Sequence, residues 1–396
     1  MSRWTKKITA ALLLIGPISQ VACAGSESWD AINTPASSWR GFNLGFVHTP
    51  PLSTSDFQAL RATGANLARL IIQPRHVAGS NTYTLTSAAW AYMDTTVAAG
   101  TRLGFRVVIT LAPQPGGDKA EYWNNPIQQA SIATLWSQIA QHFKGNTTIA
   151  GFDLINEPVP QTNMSNSLGT LQTLAGKVLK KLGDESFQAT NPMLVQARAW
   201  QVFAERLIQT IRQHDPKRTI IVEPAPWARP DAFNVQPPLP YRNIIYSFHF
   251  YDPPKVTGQG INGNPMGVYY PSGSWNQVWL SKRLEPVLRF AQKYSVPIYV
   301  GEFSIVRWAP GNSRDNYLKD LIPLFESQGW PWTYQAFREY QGWSAELSST
   351  LPRHLQNPAA LYSFKTGAMQ ILKSYFQHNT PISASSVASP RTGTSH

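Results

Sequence analysis

Short apolar segments rich in β-branched residues alternate along the chain with longer segments in which apolar residues recur every three to four positions. The first pattern predicts buried strands and the second predicts amphipathic helices. Repeated strand–helix units of this kind are typical of a parallel sheet covered by helices. The eight predicted strands lie near residues 42–46, 66–72, 105–111, 150–155, 218–222, 244–250, 297–301 and 331–335.

Two predicted helices show the helical period most clearly. Their apolar faces consist of Ile132, Leu135, Trp136, Ile139 and Phe143 in one helix and of Trp200, Phe203, Leu207, Ile208 and Ile211 in the other. Eight strands alternating with helices favour a closed barrel over an open doubly wound sheet. The lack of a G-x-G-x-x-G turn after the first strand weakens the doubly wound alternative further. We therefore expect an α/β fold, a single-domain (β/α)8 TIM barrel, over residues 25–377.

The composition agrees with one large globular domain. A chain of 396 residues with 42% hydrophobic residues can bury a sizeable core, and a charged fraction of 14% argues against a disordered or coiled-coil protein. The 34 basic residues outnumber the 22 acidic ones, but they are scattered and match no nucleic-acid-binding motif. We expect a mildly basic monomer without a nucleic-acid partner.

Both ends of the chain differ in composition from its body. A basic start, an apolar run from Ile8 to Ile18 and small residues around Cys23 make residues 1–24 a predicted export signal. The run is too short for a stable membrane span, so we expect a secreted or periplasmic protein. Because Cys23 is the sole cysteine, a lipid-modified amino terminus is the alternative. Residues 378–396 are rich in Ser and Thr and are predicted to be a disordered tail.

Two connections are too long to be simple loops, namely residues 158–195 after the fourth strand and 252–275 after the sixth. Both follow the carboxyl ends of strands, where barrel enzymes place their active sites. The second connection carries Tyr269, Tyr270 and Trp275, which we expect to form a wall of a substrate cleft.

Two glutamates end buried strands: Glu157 in Ile155-Asn156-Glu157-Pro158 and Glu302 in Val300-Gly301-Glu302-Phe303. In a closed barrel the fourth and seventh strands stand across the lumen, so both carboxylates would enter one cleft. Opposed carboxylates are what glycosidic cleavage requires, with a separation of about 5 to 5.5 Å for retention and about 6.5 to 9.5 Å for inversion of the anomeric centre. The alternative is that each glutamate is only a hydrogen-bonding residue at a strand end.

Four ordered segments resemble glycoside hydrolase family five, the cellulase-like members of the retaining (β/α)8-barrel glycosidases. The segments are Arg40-Gly41-Phe42-Asn43-Leu44-Gly45, Phe152-Asp153-Leu154-Ile155-Asn156-Glu157-Pro158, Ser247-Phe248-His249-Phe250-Tyr251 and Val300-Gly301-Glu302-Phe303-Ser304. The resemblance implies that Glu157 is the catalytic acid/base and Glu302 the nucleophile.

The resemblance also implies supporting roles around the two glutamates. Arg69 would hold Glu302 ionised by an ion pair, and Asn156 would bind the sugar 2-hydroxyl group. His249 and Tyr251 alternate with apolar residues and share one face of the sixth strand. Tyr251 would donate a hydrogen bond to Glu302, and His249 would contact the acid/base side of the cleft. Purely structural roles are the alternative for each of these supporting residues.

The aromatic residue expected to stack on the sugar is Trp332, on the eighth strand, with Trp330 as the nearest competitor. The chain departs from the family at two places. Ala112 ends the third strand where many members carry Asp-x-His, and Gln335 stands where a second aromatic is expected. Beyond the eighth strand lies a polar and aromatic cluster without an assigned role, composed of Phe337, Arg338, Glu339 and Trp343.

The expected activity is that of a retaining glycoside hydrolase cleaving a β-linked glucan or a related polysaccharide or oligosaccharide through a covalent glycosyl-enzyme. We expect no cofactor and no metal, because the sequence lacks an HxH or HExxH pair at a strand end and a GxxxxGK[ST] loop. A non-catalytic carbohydrate-binding barrel and a transglycosylase are the alternatives. The glycan, its linkage and endo or exo action stay open at this point.

Overall fold

A computed structural model describes residues 38–45, 51–112, 123, 125–160 and 191–382. Within them, eight parallel strands form a closed barrel in chain order, which confirms the predicted fold and each predicted strand to within two residues. The strands are β1 (Arg40–Gly45), β2 (Leu67–Ile72), β3 (Arg106–Leu111), β4 (Ile149–Asp153), β5 (Ile220–Val222), β6 (Ile244–Phe250), β7 (Ile298–Phe303) and β8 (Trp332–Tyr334).

Several predictions fall on other parts of the chain. The export signal with Cys23, most of the 158–195 connection and residues 383–396 of the predicted tail lie outside the described residues. No helix in the described ranges is both long enough and apolar enough to cross a bilayer.

The barrel closes between its first and last strands. Arg40 of β1 lies opposite Trp332 of β8, and β1 also pairs with β2, so no barrel strand is left with an open edge. Glu326 reinforces this seam, because its carboxylate lies 2.6 Å from the Arg40 guanidinium and accepts a 2.7 Å hydrogen bond from the Trp332 indole.

Helices surround the strands and bury their apolar faces against them. They are α1 (Thr54–Ala62), α2 (Ser87–Leu103), α3 (Pro126–His142), α4 (Pro192–His214), α5 (Pro254–Thr257), α6 (Gln277–Tyr294), α7 (Ser313–Glu326) and α8 (Gly367–Phe376). Helices α3 and α4 each begin with an Asn cap followed by Pro, a combination that satisfies free backbone N–H groups and presets the first turn. The two predicted apolar faces are buried in α3 and α4, with Phe143 buried at the end of α3.

The barrel lumen changes from apolar to charged towards the carboxyl ends of the strands. Its lower part is an apolar cluster of Trp39, Leu67, Val108, Ala150, Ile221, Ile245 and Tyr299. Side chains two residues apart on a strand share a face, so Arg69 lies above Leu67 and Glu223 follows two residues after Ile221. Because side chains on a strand alternate between the lumen and the helices, the charged groups lie at the barrel mouth. The apolar cluster beneath them separates them from solvent at the other end of the lumen.

Candidate active site

The structure brings the two predicted glutamates together at the barrel mouth. Glu157 follows β4, Glu302 lies in β7, and a carboxylate oxygen of each lies within 4.8 Å of the other and of a His249 ring nitrogen. The Glu302 side chain is 7% exposed, whereas that of Glu157 is 28% exposed. Glu302 thus lies deeper in the mouth than Glu157 does.

Arg69 is the centre of the charge network beneath these glutamates. Its fully buried guanidinium donates to three carboxylates and two amide oxygens. The partners are Asp153 (2.8 Å), Glu223 (2.6 Å), Glu302 (2.9 Å), Asn43 (3.0 Å) and Asn156 (2.9 Å). Burial alone would lower the pKa of Arg69, but the surrounding carboxylates raise it well above its usual value, so the guanidinium stays charged.

Both carboxylate oxygens of Glu302 receive a hydrogen bond. Arg69 donates to Oε1, and the Tyr251 hydroxyl donates to Oε2 at 2.7 Å. Burial and the carboxylates of Glu302 and Glu157 raise the pKa of Tyr251 well above its usual value, so its hydroxyl remains a donor. Asn156 uses its amide oxygen as an acceptor for Arg69, and no described residue accepts a hydrogen bond from its side-chain N–H groups.

His249 connects the acid/base candidate to the network. Its Nδ1 lies 2.9 Å from Glu157 and 3.7 Å from Glu302, and its Nε2 lies 3.0 Å from Glu223. Burial would lower the pKa of His249, but the carboxylates of Glu223, Glu302 and Glu157 raise it well above its usual value. The ring is therefore an imidazolium at neutral pH.

Glu223 is a site residue that the sequence prediction missed. It follows β5, and its Oε2 accepts a 2.6 Å hydrogen bond from the Glu157 backbone N–H. That bond holds Glu157 at φ 48°, a left-handed conformation that non-glycine residues seldom adopt. Burial would raise the pKa of Glu223, but the charges of His249 and Arg69 lower it to about 2. A sequence signal existed, because Ile221-Val222-Glu223 ends a buried strand on a glutamate, as the two predicted sites do.

The carboxyl groups of the mouth differ in charge. Burial raises the pKa of Glu157, an effect that the His249 contact reduces but that the nearby Glu302 and Glu223 carboxylates reinforce. Burial and Glu223 also raise the pKa of Asp153 well above its usual value. Glu157 therefore retains a proton more readily than an ordinary glutamate, while Glu223 is ionised.

Trp332 does not line the cleft, so the prediction that it stacks on a sugar is wrong. Its indole is fully buried on the helix side of β8, with ring centroids 5.4 Å from Phe303 and 5.5 Å from Phe376 of α8. The inward-facing residue of this short strand is Thr333, whose hydroxyl donates to the Gly301 carbonyl oxygen. Trp330 is also a core residue, packed edge-on against Phe248.

Trp343 is a tryptophan that packs against a residue of the site, Tyr251. Its ring centroid lies 5.6 Å from that of Tyr251, and the side chain remains partly exposed. Tyr270, expected in the cleft wall, is instead buried against Tyr317 of α7, whereas Tyr269 is 60% exposed. The physical reason is that the Tyr270 hydroxyl donates a 2.8 Å hydrogen bond to the half-buried Asp320.

The two departures from the family pattern also lie at the barrel mouth. Ala112 follows β3, and residues 113–122 lie outside the described part of the chain. Gln335 follows β8 and donates a 2.7 Å hydrogen bond to Glu339. Burial and the nearby Glu302 raise the pKa of Glu339 to about 7.

Glu157, His249 and Glu302 are close enough together to bind a metal ion. Both nitrogens of His249 face carboxylates, that of Glu157 at 2.9 Å and that of Glu223 at 3.0 Å.

Comparison with known proteins identifies the family. The sequence model described as Cellulase (glycosyl hydrolase family 5) matches residues 29–340. The chain belongs to glycoside hydrolase family 5. Among curated family relatives, a β-xylosidase from Phanerodontia chrysosporium is 22% identical over 73% of this chain and 57% of its own length. Endoglucanase C from Acetivibrio thermocellus is 20% identical over 54% of this chain and 62% of its own length. This family 5 chain thus spans about six tenths of these relatives.

Solved structures agree with the family 5 barrel. Endoglucanase Cel5A from Thermotoga maritima superposes with a TM-score of 0.65 at 20% identity, covering 86% of this chain and 99% of that one. The cellulose synthase subunit Z from Clostridioides difficile gives a TM-score of 0.63 at 19% identity, covering 83% of this chain and 98% of that one. At these identities the likeness shows the shared fold.

Replacing Glu223 by Gln should destabilise the family 5 barrel by about 3 kcal/mol near neutral pH, because two buried cations lose a shared carboxylate. The pKa of Glu223 is depressed from 4.5 to about 2, so its contribution is present above about pH 4.5 and is lost as the pH falls towards 2. Denaturant unfolding of wild type and of Glu223→Gln should show a gap between their free energies of unfolding, and this gap should narrow as the pH falls. Glu285→Gln, at an exposed position on α6, is the matched control; an equal gap at all pH values would contradict the assignment.

Replacing Trp332 by Ala should cost about 3 to 5 kcal/mol of stability, because it empties a core site. The Trp343→Ala variant should instead remain nearly as stable as wild type and lose about tenfold in affinity for an oligosaccharide. Thermal unfolding and binding calorimetry measure the two effects separately. Weakened sugar binding by Trp332→Ala at unchanged stability would restore the original sequence prediction.

Proposed function

We propose that this protein is a retaining glycoside hydrolase that cleaves a β-linked glucan or a related β-linked polysaccharide or oligosaccharide. The observation that carries the proposal is a pair of carboxyl groups in one cleft, held by different partners. Arg69 and Tyr251 donate to Glu302, whereas Glu157 lies beside His249 with a raised pKa. Family 5 membership supports the same chemistry.

The distance between the two glutamates supports retention. Their closest carboxylate oxygens lie within 4.8 Å, which fits the spacing of about 5 to 5.5 Å of retaining enzymes. In an inverting enzyme the two carboxyl groups stand about 6.5 to 9.5 Å apart, which leaves room for the attacking water molecule between one of them and the sugar. A closest approach within 4.8 Å supports the retaining arrangement over the inverting one. The hydrogen bonds from Arg69 and Tyr251 support Glu302 as the nucleophile.

In the first step, the Glu302 carboxylate attacks the anomeric carbon while Glu157 gives its proton to the leaving glycosidic oxygen. The C–O bond to the leaving group breaks as the bond to Glu302 forms. Arg69 and Tyr251 orient the nucleophile through one oxygen each, which reduces the entropy to be lost on reaching the transition state. The Asn156 N–H groups are placed to meet a donor-sugar hydroxyl.

In the second step, Glu157 takes a proton from water as that water attacks the anomeric carbon and releases Glu302. The covalent ester has removed the negative charge of Glu302, so one source of the raised pKa of Glu157 is gone. The His249 imidazolium, 2.9 Å away, then stabilises the Glu157 carboxylate as a base. The exchange of roles follows from the change in the charge of Glu302.

The names of the relatives support the substrate class. Endoglucanases and a β-xylosidase are among the curated proteins that resemble this chain. We infer a β-linked glycan as substrate, and the predicted export signal would deliver the enzyme to glycans outside the cytoplasm.

The proposal predicts different defects for the two glutamates. Glu302→Gln should lose about 1,000-fold or more in kcat on every substrate, because no nucleophile remains. Glu157→Ala should lose about 100- to 10,000-fold on an oligosaccharide but far less in the first step with a dinitrophenyl glycoside, whose leaving group needs no proton. Kinetics on both substrates, with Glu285→Gln as control, test this.

Proton NMR of the first product of wild-type enzyme completes the test, with the β-anomer as the expected result. Initial formation of the α-anomer would refute the retaining assignment. A Glu302→Gln variant with near wild-type turnover would refute the choice of nucleophile.

A further inference from the structure

The segment after β8 extends a carboxyl group over the end of β1. A Cβ atom on Gly45, the last residue of β1, would lie 2.3 Å from Glu339 Cδ and 2.4 Å from its Oε1. Glycine at this position therefore gives the Glu339 side chain the space that it occupies. Arg338, at φ 52°, turns its own side chain the other way, with a guanidinium nitrogen 2.8 Å from Glu346.

Gln335 holds this carboxyl group at an energetic cost to the fold. Its Nε2 donates 2.7 Å to Glu339 Oε2, while its own Oε1 is buried and finds no hydrogen-bond partner among the described residues. A buried oxygen without a hydrogen bond lowers the stability of the fold. Proteins keep such unfavourable arrangements mainly at functional positions. Glu339 remains partly exposed, and no described residue donates a hydrogen bond to its Oε1. The Oε1 atom of Glu339 is therefore held in place and can accept a hydrogen bond from a ligand.

The position of Glu339 identifies the sugar that it would meet. In the closed barrel β8 stands opposite β4, the strand that Glu157 follows, and next to β7, which carries Glu302. The leaving group lies on the Glu157 side, so the donor sugar extends from Glu302 towards β8 and β1. The carboxyl group of Glu339 therefore lies on the donor side of the cleavage point.

We propose that Glu339, positioned by Gln335, is a specificity-determining residue that accepts hydrogen bonds from hydroxyl groups of the donor-side sugar. This inference rests on the proposed glycosidase function. An aromatic ring at position 335 would recognise the sugar by stacking, which is insensitive to individual hydroxyl groups. Above its pKa of about 7, the Glu339 side chain is a carboxylate that makes charge-assisted hydrogen bonds and penalises a sugar that lacks the hydroxyl. With Gln335 and Glu339 at these positions, the protein would recognise individual hydroxyl groups of the sugar, whereas an aromatic ring at position 335 would recognise only the flat face of the sugar.

The test compares binding and turnover of hydroxylated and deoxygenated sugars. The probe is the oligosaccharide that the full-length wild-type chain binds most tightly among cellotriose, mannotriose and xylotriose, together with its monodeoxy analogues. Calorimetry gives affinities without requiring turnover, and kcat and KM are measured in parallel. The variants are Glu339→Ala, Glu339→Gln and Gln335→Ala, with Glu285→Gln as control.

Wild type and the control should lose about 10- to 100-fold in affinity when one donor-side hydroxyl is removed. Glu339→Ala should bind the parent sugar as weakly as wild type binds that analogue and should no longer distinguish the two. Glu339→Gln, which keeps an acceptor oxygen, should recover part of the discrimination, and Gln335→Ala should lose part of it. The loss should fall mainly on KM, because neither residue contacts the reacting bond.

Unchanged discrimination in folded Glu339→Ala would overturn the inference, as would a wild-type protein that binds none of these sugars. If the protein bound a glucosamine trimer more tightly than these sugars and lost that preference in Glu339→Ala, Glu339 would recognise an ammonium group. That result would also overturn the inference that it recognises hydroxyl groups. Discriminating binding by wild type without any cleavage would instead refute the proposed hydrolase function and leave the role of Glu339 supported.

Discussion

The buried guanidinium of Arg69 is the constraint on which the site depends. A positive charge without solvent contact is tolerated only when carboxylates and other acceptors surround it. The barrel mouth supplies five such partners from β1, from the end of β4 and the residues after it, from the end of β5 and from β7. The closed sheet makes this possible, because strands distant in sequence deliver side chains to one layer. Satisfying one buried charge thereby fixes the position of the nucleophile candidate Glu302.

The same network separates the behaviour of the two glutamates. Glu223 shares one carboxylate oxygen between Arg69 and His249, and its other oxygen holds the backbone of Glu157. Glu223 therefore links the residues that hold Glu302, the proposed nucleophile, to those that hold Glu157, the proposed acid/base. The Glu223 carboxylate keeps His249 charged, so His249 can stabilise Glu157 whenever Glu157 is ionised. Burial acts in the other direction and favours the protonated form of Glu157. The geometry allows Glu157 to alternate between acid and base.

The fold and the meeting of Glu157 with Glu302 at the barrel mouth were predictable because local patterns determine them. Strand and helix periods follow from which face is buried, and a glutamate that ends a buried strand must lie at the barrel mouth. Trp332 was misplaced because the alternation on a three-residue strand depends on register, which no local pattern fixes. Glu223 ends a buried strand and so carried a local signal, but its bond to the Glu157 backbone and the orientation of Glu339 depend on contacts between distant segments. Such contacts become visible only in the assembled barrel.

The claim that the buried network leaves the proton on Glu157 is tested most directly by a 13C NMR titration of the glutamate carboxyl carbons. The enzyme would carry labelled glutamate, and Glu157→Gln would assign the signal by its loss. Glu157 should titrate above its ordinary pKa of 4.5 in the free enzyme. A Glu157 signal that titrates at or below 4.5 would contradict it, because the residue would then lack the proton that the first step requires.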